Sequence, residues 1–520
     1  MQTVSTQFMT AIAAASRQTT AKVLFHLVDV DAAPDATITV TGEASISKKE
    51  QLTNSLTDMT AKLATLENDY WSLDGSFVLP PESTETGYEV GWWSSELSGV
   101  GGAFSTPQVL TLQFSKDHSV IGFSIYFDVL ADEYASDFTI VAYDSLNAVI
   151  DTQTITGNTT AKYIIEHTIS NFRKVVITIT KWKSANRRAR VAEVGLGVIY
   201  EYDGDTLIKA NILEELDPVN TEVTGNEIKF TIENADKRFN LLNPTGVYPA
   251  LQKLQKVFPY LGVITGGTSS EYAQMGVYYL DEWQSDEGAL TATFTAHDLL
   301  YVLAQSEYAG DTYVTETLYN IAVEILTAAG LAADYYEVDT ALQSITTSGS
   351  LAKMNYREAL QNIAIAGMAA LYCNRQGKII IKQLGSLSLT ETIDFDNMYS
   401  SPKISLDKLV NTIKITSGES TYTYTDPLKD SDDQVVTIEI ENTVISDATM
   451  AQNVSIWVLA ELKKRFLYEI NWRMNPAYEV GDILTIEDDF SEDKTARLTK
   501  QEFTYEGYLA GKTNARGAGT

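Results

Sequence analysis

Short segments in which apolar and polar residues alternate recur along most of this chain, and this alternation limits its fold more than any other feature. Phe230 and Ile232 flank Thr231, and Leu290 and Phe294 lie on the same side of a second alternating segment. A period of two is typical of half-buried antiparallel strands. Residues 240–246 supply the Asn, Pro and Gly of a turn between such strands. The chain is therefore predicted to be mainly β.

The length and composition predict several packed domains. A chain of 520 residues is too long for a single hydrophobic core and is expected to form about three or four domains. Hydrophobic residues make up 44% of the chain and charged residues 21%, which provides apolar material for packed cores throughout. The formal net charge of −31 disfavours binding to nucleic acids or anionic membranes, because both are themselves negative.

The residue types that most enzymes and metal sites need are sparse. Cys373 is the single cysteine, so no intrachain disulfide or thiolate metal cluster is expected, and the pattern places it in a strand as a small buried residue. The four histidines lack metal-ligand spacing, and no Gly-x-Ser-x-Gly, His-Glu-x-x-His or phosphate-loop motif occurs. We expect no cofactor, no metal and no catalytic role. A glycosidase needs only two carboxylates, and the 69 acidic residues allow such a pair to be neither chosen nor excluded.

Two apolar segments do not have the form of targeting or membrane elements. Residues 1–15 contain an apolar patch with no basic residue before it, which disfavours a cleaved secretory signal and favours a short helix. The longest apolar run, residues 363–373, is about half as long as a bilayer span requires. We expect a protein that is made without export and has no membrane span.

Three segments have helical periodicity. The first has apolar residues along 318–326 and ends at Gly330. The second begins at Asn355, where Glu358 three residues later completes a capping pattern, and it leads into two short predicted strands that suggest a small α/β domain. A third amphipathic segment covers residues 454–466.

A strand-rich block separates two parts of another domain. Residues 21–29 and 36–46 predict two strands, and Asp203-Gly204 predicts a tight hairpin where the earlier pattern resumes. Between them, residues 66–196 contain about six strand segments at the spacing of a β-sandwich, including 109–114, 121–127, 138–143 and 175–180. Because the termini of such sandwiches usually lie close together, the block is predicted to be an insertion into a loop of its host.

Outside this block, the order of the segments resembles the central hub protein of phage tails and related contractile injection machines. Residues 232–239, 277–283 and 294–300 match the strand and Asn-Asp turn, the Tyr-Leu-Asp-x-Trp strand and the Thr-Ala-x-Asp helix entry of the first hub barrel. Residues 475–484 and 503–509 resemble the second barrel. The resemblance implies a multidomain, mainly β fold with α+β parts, made of two hub-type β-barrels, a small α/β domain and an inserted β-sandwich of jelly-roll type.

The resemblance also implies domain boundaries. The predicted segments are 1–50 for the N-terminal part of the first barrel, 51–65 for a linker, 66–196 for the inserted galactose-binding-like sandwich, 197–305 for the rest of the first barrel, 306–385 for the small α/β domain and 386–520 for the second barrel with one helix.

A hub of this family implies a particular assembly. The chain is expected to form a homotrimer at the virion tail tip or baseplate, or in a phage-like particle, assembled in the bacterial cytoplasm. Its implied partners are the tail tube protein, distal tail or baseplate proteins and the tip spike. Two barrels in each of three chains give a threefold ring that can contact a sixfold tube. Three copies also triple the negative charge, so that DNA would pass without binding, although this charge equally serves solubility alone.

The inserted block resembles the discoidin or coagulation-factor type C domain, a galactose-binding-like jelly roll. The matching features are Trp71, Asp74-Gly75, Trp92-Trp93-Ser94, the segment from Gly122 to Phe127, and Arg190-x-x-Glu193; the usual terminal cysteine pair is missing. The resemblance implies a site for host cell-wall carbohydrate in loops at one end of the sandwich, where aromatic faces and polar groups suit sugar rings. The candidate residues are Tyr88, Trp92, Tyr134, Trp182, Arg187 and Arg188.

These residues have structural interpretations as well. Trp71 and Trp93 are expected to be core residues, and since neighbouring strand residues point to opposite faces, one of Trp92 and Trp93 is expected to face outward. Arg187 and Arg188 either bind an acidic polymer such as a teichoic acid or belong to a solvated turn.

Two other functions remain open. In the first, the chain is a cell-wall polysaccharide hydrolase in which residues 66–196 form an accessory carbohydrate-binding module. In the second, it is a bacterial surface adhesin, which is disfavoured because no signal or wall anchor is visible in the sequence.

Overall fold

The computed structural model describes residues 1–54, 61–68, 70–71, 74–79, 89–266, 269–286, 288–385, 391–429, 434–489 and 494–517. Strands account for 46% and helices for 16%, which confirms the predicted mainly β fold with α+β parts. The chain divides into two compact units. The scaffold unit comprises Met1–Val23, Tyr202–Lys237 and Val257–Thr520, and the sandwich unit comprises Leu24–Glu201 and Arg238–Lys256.

The helices begin at side chains that cap them. Ser5 accepts a hydrogen bond from the backbone N–H of Phe8 at 3.0 Å, and Asn355 accepts one from Glu358 at 2.9 Å. The predicted N-terminal helix and the capping pattern at Asn355 are therefore confirmed. The α-helices of the described residues are α1 Thr6–Ala13, α2 Ala32–Asp35, α3 Leu299–Leu303, α4 Leu318–Ala328, α5 Tyr356–Ala366 and α6 Ala448–Leu462.

The sandwich unit has a five-stranded antiparallel sheet in the order β2-β6-β11-β8-β9, with smaller sheets β10-β7-β13 and β12-β5 that share its core. The strands from Thr19 to Tyr202 are β1 Thr19–Val28, β2 Thr37–Val40, β3 Lys62–Leu63, β4 Phe77–Val78, β5 Trp92–Leu97, β6 Ala103–Val120, β7 Phe123–Tyr126, β8 Ala135–Tyr143, β9 Val149–Ile155, β10 Lys162–Ile165, β11 Ile169–Trp182, β12 Arg188–Val191, β13 Glu193–Gly195 and β14 Gly197–Tyr202.

The central pair β6 and β11 shows why this sheet forms. Leu112 lies opposite Val175 and Leu110 opposite Ile177, and all four side chains are buried while their polar neighbours alternate with them. The predicted strand segments of the inserted block thus lie in a sandwich, as expected.

The sandwich starts earlier in the chain than the sequence predicted. Strand β2 pairs with β6, with Ile38 opposite Leu112, and Leu52 is buried in the same core. Residues 37–40 and Leu52 therefore pack with the inserted block, whereas the sequence placed them in the first barrel and the linker. The other predicted domain boundaries stay predictions.

The scaffold unit is built on one long sheet in which β17-β19-β20-β16-β15-β37-β38-β35-β31 are neighbours. Its strands are β15 Leu207–Glu215, β16 Glu227–Glu233, β17 Lys256–Gly266, β18 Ser269–Gln274, β19 Tyr278–Gln284, β20 Thr291–His297, β21 Glu307–Tyr308, β22 Asp311–Thr312, β23 Glu316–Thr317, β24 Tyr336–Val338, β25 Thr346–Thr347, β26 Ser350–Leu351, β27 Met354–Asn355, β28 Ala370–Cys373, β29 Ile379–Lys382, β30 Thr392–Ile393, β31 Lys403–Leu406, β32 Thr412–Ser417, β33 Ser420–Thr425, β34 Thr437–Glu441, β35 Phe466–Trp472, β36 Ile483–Ile486, β37 Lys494–Tyr505 and β38 Leu509–Gly517.

The two predicted barrel regions are joined through β15 and β37, where Ile212 lies opposite Phe503. Among the described residues no sheet closes on itself, so the strands form an open pairing path in place of two separately closed barrels. The hairpin predicted at Asp203-Gly204 does not form: the turn is present, with Thr206 donating to the carbonyl of Asp203 at 2.9 Å, but β15 pairs with β16 and β37.

The small α/β part has its sheet order β24-β29-β28 beside α4 and α5. Cys373 ends β28 and is buried, as predicted, and burial raises the pKa of its thiol well above the ordinary value. Helix α6 packs on β32 and β33, and it ends at Leu462 because Phe466 already belongs to β35.

The segments that resemble the first hub barrel lie side by side. Strand β16 pairs with β20, where the Phe230 and Phe294 rings stack with centroids 5.1 Å apart, and β20 also pairs with β19. Asp298 follows β20 and caps α3 by accepting from the backbone N–H of Tyr301 at 3.2 Å. It also accepts from the N–H of Asn226 at 2.9 Å, which ties the start of β16 to this helix entry.

No helix in the described residues is long and apolar enough to cross a membrane. Within the same residues, no group of three or more His, Cys, Asp and Glu side chains is placed to hold a metal ion.

Candidate functional site

Four segments of the sandwich unit, most of them loops, lie together, and we call this region the loop cluster. It comprises residues 66–68 with 70–71, 94–99, 128–134 and 183–188, and it includes the end of β5 and the first residue of β12. Backbone hydrogen bonds join the loops: Asn186 donates to the carbonyl of Ser98 at 2.8 Å, and Lys183 donates to that of Tyr134 at 2.9 Å. The cluster holds Tyr134, Arg187 and Arg188, three of the residues that the sequence singled out.

Arg190 is the ionic centre beneath the loop cluster. Its guanidinium donates to Glu67 at 2.6 Å and to Asp128 at 2.9 Å, and all three side chains are buried. The same guanidinium lies 4.0 Å from the ring centroids of both Tyr70 and Trp93. A planar guanidinium can stack and make several directed hydrogen bonds at once. Arg190 therefore holds together the two segments of the cluster that contain Glu67 and Asp128.

Tyr70 extends this network toward Arg187. The Tyr70 hydroxyl donates to Asp128 at 3.2 Å, and the Arg187 guanidinium lies 5.3 Å from the Tyr70 ring centroid. Burial is the largest cause of a raised pKa for the Tyr70 hydroxyl, which therefore stays a hydrogen-bond donor at neutral pH.

Arg187 is a buried structural residue. Its Nη1 donates to the carbonyl of Asn68 at 2.6 Å, and its Nε lies 3.6 Å from Glu133. The Glu133 side chain is itself only 8% exposed, and burial raises the pKa of its carboxyl. Because Arg187 is buried, it does not belong to a solvated turn. Its guanidinium is also mostly inaccessible to an acidic polymer.

Arg188 and Tyr134 lie closer to the surface. Arg188 is partly exposed and donates to the carbonyls of Ser94 and Ser95 at 2.7 and 2.6 Å. Tyr134 is half-buried, with the Lys183 ammonium 4.9 Å from its ring centroid, and that ammonium lies 2.8 Å from Asp132. An aromatic ring can pack on the apolar face of a sugar, while charged donors and acceptors beside the ring bind the hydroxyls of the sugar.

The tryptophans are placed differently from the sequence-based expectation. Trp92 and Trp93 do point to opposite faces of β5, but both are fully buried, because each face is covered by its own apolar cluster. The Trp92 indole donates to the carbonyl of Gly42 at 3.0 Å. Trp182 is also fully buried, with its ring 5.7 Å from that of Phe127. Neither Trp92 nor Trp182 offers a ring face to a ligand.

Trp71 has the exposure that was expected of Trp92. It was predicted to be a core residue, yet it is 38% exposed and belongs to the loop cluster. Tyr88 lies outside the described residues. Among the described aromatic residues of the cluster, Trp71 is exposed, while Tyr134 and Tyr70 are half-buried and the Tyr70 ring is stacked on Arg190. Sequence analysis singled out only Tyr134 as a candidate.

Glu67, Tyr70, Asp128 and Glu133 were not identified from sequence. The usable signal was a charged residue within an apolar strand: Arg190 lies between Ala189 and Val191 of β12, and a buried arginine requires carboxylate partners. Which of the many acidic residues supply them depends on loops distant in sequence.

No protein-family model matches the chain, and no curated protein matches it. Parts of it are similar to solved structures. A tail protein from Neisseria meningitidis MC58 is 11% identical with a TM-score of 0.41, over 61% of this chain and 93% of that chain. The E. coli c3393 protein, a component of the type VI secretion system, is 9% identical with a TM-score of 0.37, over 60% and 74%. Chitosan-binding module 1 of a chitosanase/glucanase from Paenibacillus sp. IK-5 is 13% identical with a TM-score of 0.20, over 32% and 95%.

Proposed function

We propose that this chain is a structural hub at the tip of a phage tail or phage-like injection machine, where it joins a sixfold tube to a threefold tip. The observation that carries the proposal is the arrangement of the hub-like segments. Strands β16, β20 and β19 are neighbours, and the Asp298 helix entry follows β20 directly. The sequence order that resembles the hub family thus coincides with one continuous piece of structure.

The scaffold unit also has a strand edge suited to assembly. Strand β31 is the last strand of the long sheet, and all four of its side chains are exposed. Ile404 and Leu406 lie on one face of this strand and are 49% and 59% exposed. Exposed apolar strand edges are normally paired or covered, so this edge is a candidate contact between copies of the chain.

Mass measurement in solution tests the hub proposal. The purified chain is expected to form a trimer, either alone or when the tube protein of the same particle is added. A chain that stays monomeric at every concentration and does not bind the tube protein would contradict the proposal. Assays for release of sugar ends from cell walls address the hydrolase alternative, and turnover by the pure chain would favour it.

We further propose that the loop cluster of the sandwich unit binds host-surface carbohydrate through Trp71 and Tyr134. The support is an exposed Trp71 and a half-buried Tyr134 on one loop cluster, with Lys183 beside the Tyr134 ring and Asp132 beside Lys183. The buried network under Arg190 holds these loops in place, which lowers the ordering cost of binding.

Glycan arrays with three variants test this second proposal. Trp71→Ala and Tyr134→Ala are each expected to weaken binding by about 1 to 3 kcal/mol, because each removes a stacking surface. Leu146→Ala is the matched control, since Leu146 is an exposed apolar residue that follows β8 at the end opposite Tyr134. Absence of binding by the wild type on arrays of host cell-wall glycans, or equal binding by all variants, would contradict the proposal.

A further inference from the structure

A cavity of about 380 Å³ lies within the scaffold unit. Its walls come from the β28-β29 hairpin, the turn at 479–483 and β37. We call it the Arg497 pocket. Its volume lies within the range of sites that take small molecules, roughly 300 to 1,000 Å³.

Arg497 is a buried cation in this pocket without a carboxylate partner. The residue is 5% exposed; its Nη1 donates to the carbonyl of Gly481 at 3.0 Å and its Nη2 to that of Gly385 at 2.7 Å. Its Nε has no hydrogen-bond partner. Across the part of the chain that the structure describes, no carboxylate oxygen forms an ion pair with Arg497.

Two arginines next to Arg497 have carboxylate partners. Arg375 lines the same cavity and makes a two-point contact with Glu214, at 2.5 Å from Nε and 2.8 Å from Nη2. Arg516 lies directly opposite Arg497 across β37 and β38 and pairs with Asp407 at 2.5 Å. Arg497 differs from both in having only carbonyl contacts.

Leaving this charge unpaired is costly. Burial lowers the pKa of the Arg497 guanidinium, although it remains protonated at neutral pH. Glu461 attracts the guanidinium from beyond ion-pair distance and offsets part of this effect. A buried cation with two carbonyl contacts and no carboxylate in direct contact is short of the partner that normally offsets its desolvation. Its planar donors match the geometry of a carboxylate.

The remaining walls indicate what kind of anion fits. Leu384, Val480 and Ile483 supply apolar surface. The acidic wall residues Glu479 and Asp482 lie 3.1 and 2.7 Å from the amino group of Met1, and the wall also carries the exposed Lys382. Glu479 and Asp482 repel a multiply charged anion more strongly than a singly charged one.

We propose that the Arg497 pocket binds a small, singly charged carboxylate that carries an apolar portion. The carboxylate pairs with the Arg497 guanidinium, and the apolar portion packs against Leu384, Val480 and Ile483. Inorganic phosphate is a poor ligand on this assignment, because part of it is doubly charged at neutral pH and it has nothing to place on the apolar wall.

Calorimetric titration with hexanoate tests the inference on the full chain. The wild type is expected to bind hexanoate and to bind hexanol and inorganic phosphate much more weakly, at matched ionic strength. Arg497→Gln is expected to weaken hexanoate binding about tenfold or more, since a charge-assisted hydrogen-bonded contact is lost. Arg465→Gln, which changes a partly buried arginine outside the pocket, should leave binding unchanged.

A second variant covers the case in which the first does not fold. If Arg497→Gln does not fold, Arg497→Lys keeps the charge without the planar fork and should bind hexanoate with intermediate affinity. Three outcomes overturn the assignment: no hexanoate binding by the wild type, equal binding of hexanol and hexanoate, or hexanoate binding that no substitution of Arg497 changes. Binding of phosphate in preference to hexanoate would also overturn it.

Discussion

Arg190 and Glu67 are 123 positions apart in the chain, yet the guanidinium donates to the carboxylate at 2.6 Å with both side chains buried. Glu67 Oε2 also accepts the backbone N–H of Arg188 at 3.1 Å. One carboxylate therefore binds both the side chain and the backbone of β12, which links the loop before β4 to the strand that closes the sandwich.

We expect Arg190→Met to destabilise the protein by about 3 to 5 kcal/mol, because Glu67 and Asp128 stay buried and lose their nearest cation. Arg173→Gln is the control, since Arg173 pairs with Asp117 at the surface and its loss should cost less than about 1 kcal/mol. Urea denaturation followed by tryptophan fluorescence measures both changes. Equal stability of the two variants would show that the Arg190 network does not support the sandwich.

Asp298 gives a pH dependence with a definite sign. Burial raises the pKa of its carboxyl to about 6. The folded state therefore holds a proton that the unfolded state has lost, and the contribution of this group to the free energy of unfolding falls as pH rises from about 4 to about 7, by about 3 kcal/mol. Asp298→Asn removes this titration and keeps one acceptor for the cap. Denaturation of the wild type and of Asp298→Asn across this pH range measures the difference between their free energies of unfolding. This difference should not change with pH if Asp298 is already ionised in the folded protein.

The helices and many strands could be predicted because their signals are local. Asn355 with Glu358 marks the start of α5, and the apolar spacing along α4 places its buried face. The partner of β2 could not be predicted, because Ile38 pairs with Leu112 more than 70 positions away and both neighbouring strands have the same alternation. The turn at Asp203-Gly204 predicted a local hairpin, but β15 after this turn pairs with β16 and β37.

The candidate site was predictable only in part for the same reason. Alternation correctly placed Trp92 and Trp93 on opposite faces of β5, but it gives no information on whether a second layer covers each face. Trp71 was assigned to the core by its residue type, although it follows a strand-poor loop where no alternation exists to orient it. Burial of a tryptophan depends on these nonlocal layers.

Substitution of the tryptophans should separate packing from binding. Trp92→Ala and Trp182→Ala are each expected to destabilise the sandwich by about 3 to 5 kcal/mol, since each removes a fully buried indole. Trp71→Ala should cost less than about 1 kcal/mol, because the residue is 38% exposed. Thermal unfolding of the three variants provides the comparison, and a large loss of stability in Trp71→Ala would make it a packing residue.

The exposed edge strand β31 allows a test of self-association that leaves folding intact. Ile404→Lys and Leu406→Lys place charge on the face of the strand that carries its two exposed apolar side chains. If this edge joins copies of the chain, each substitution should weaken association by about tenfold or more, because a desolvated charge at an interface costs several kcal/mol. Ser405→Lys adds the same charge to the opposite face of the same strand and should have a smaller effect. Mass photometry over a dilution series measures the dissociation constants, and identical values for the three variants and the wild type would place the contact between copies elsewhere on the scaffold unit.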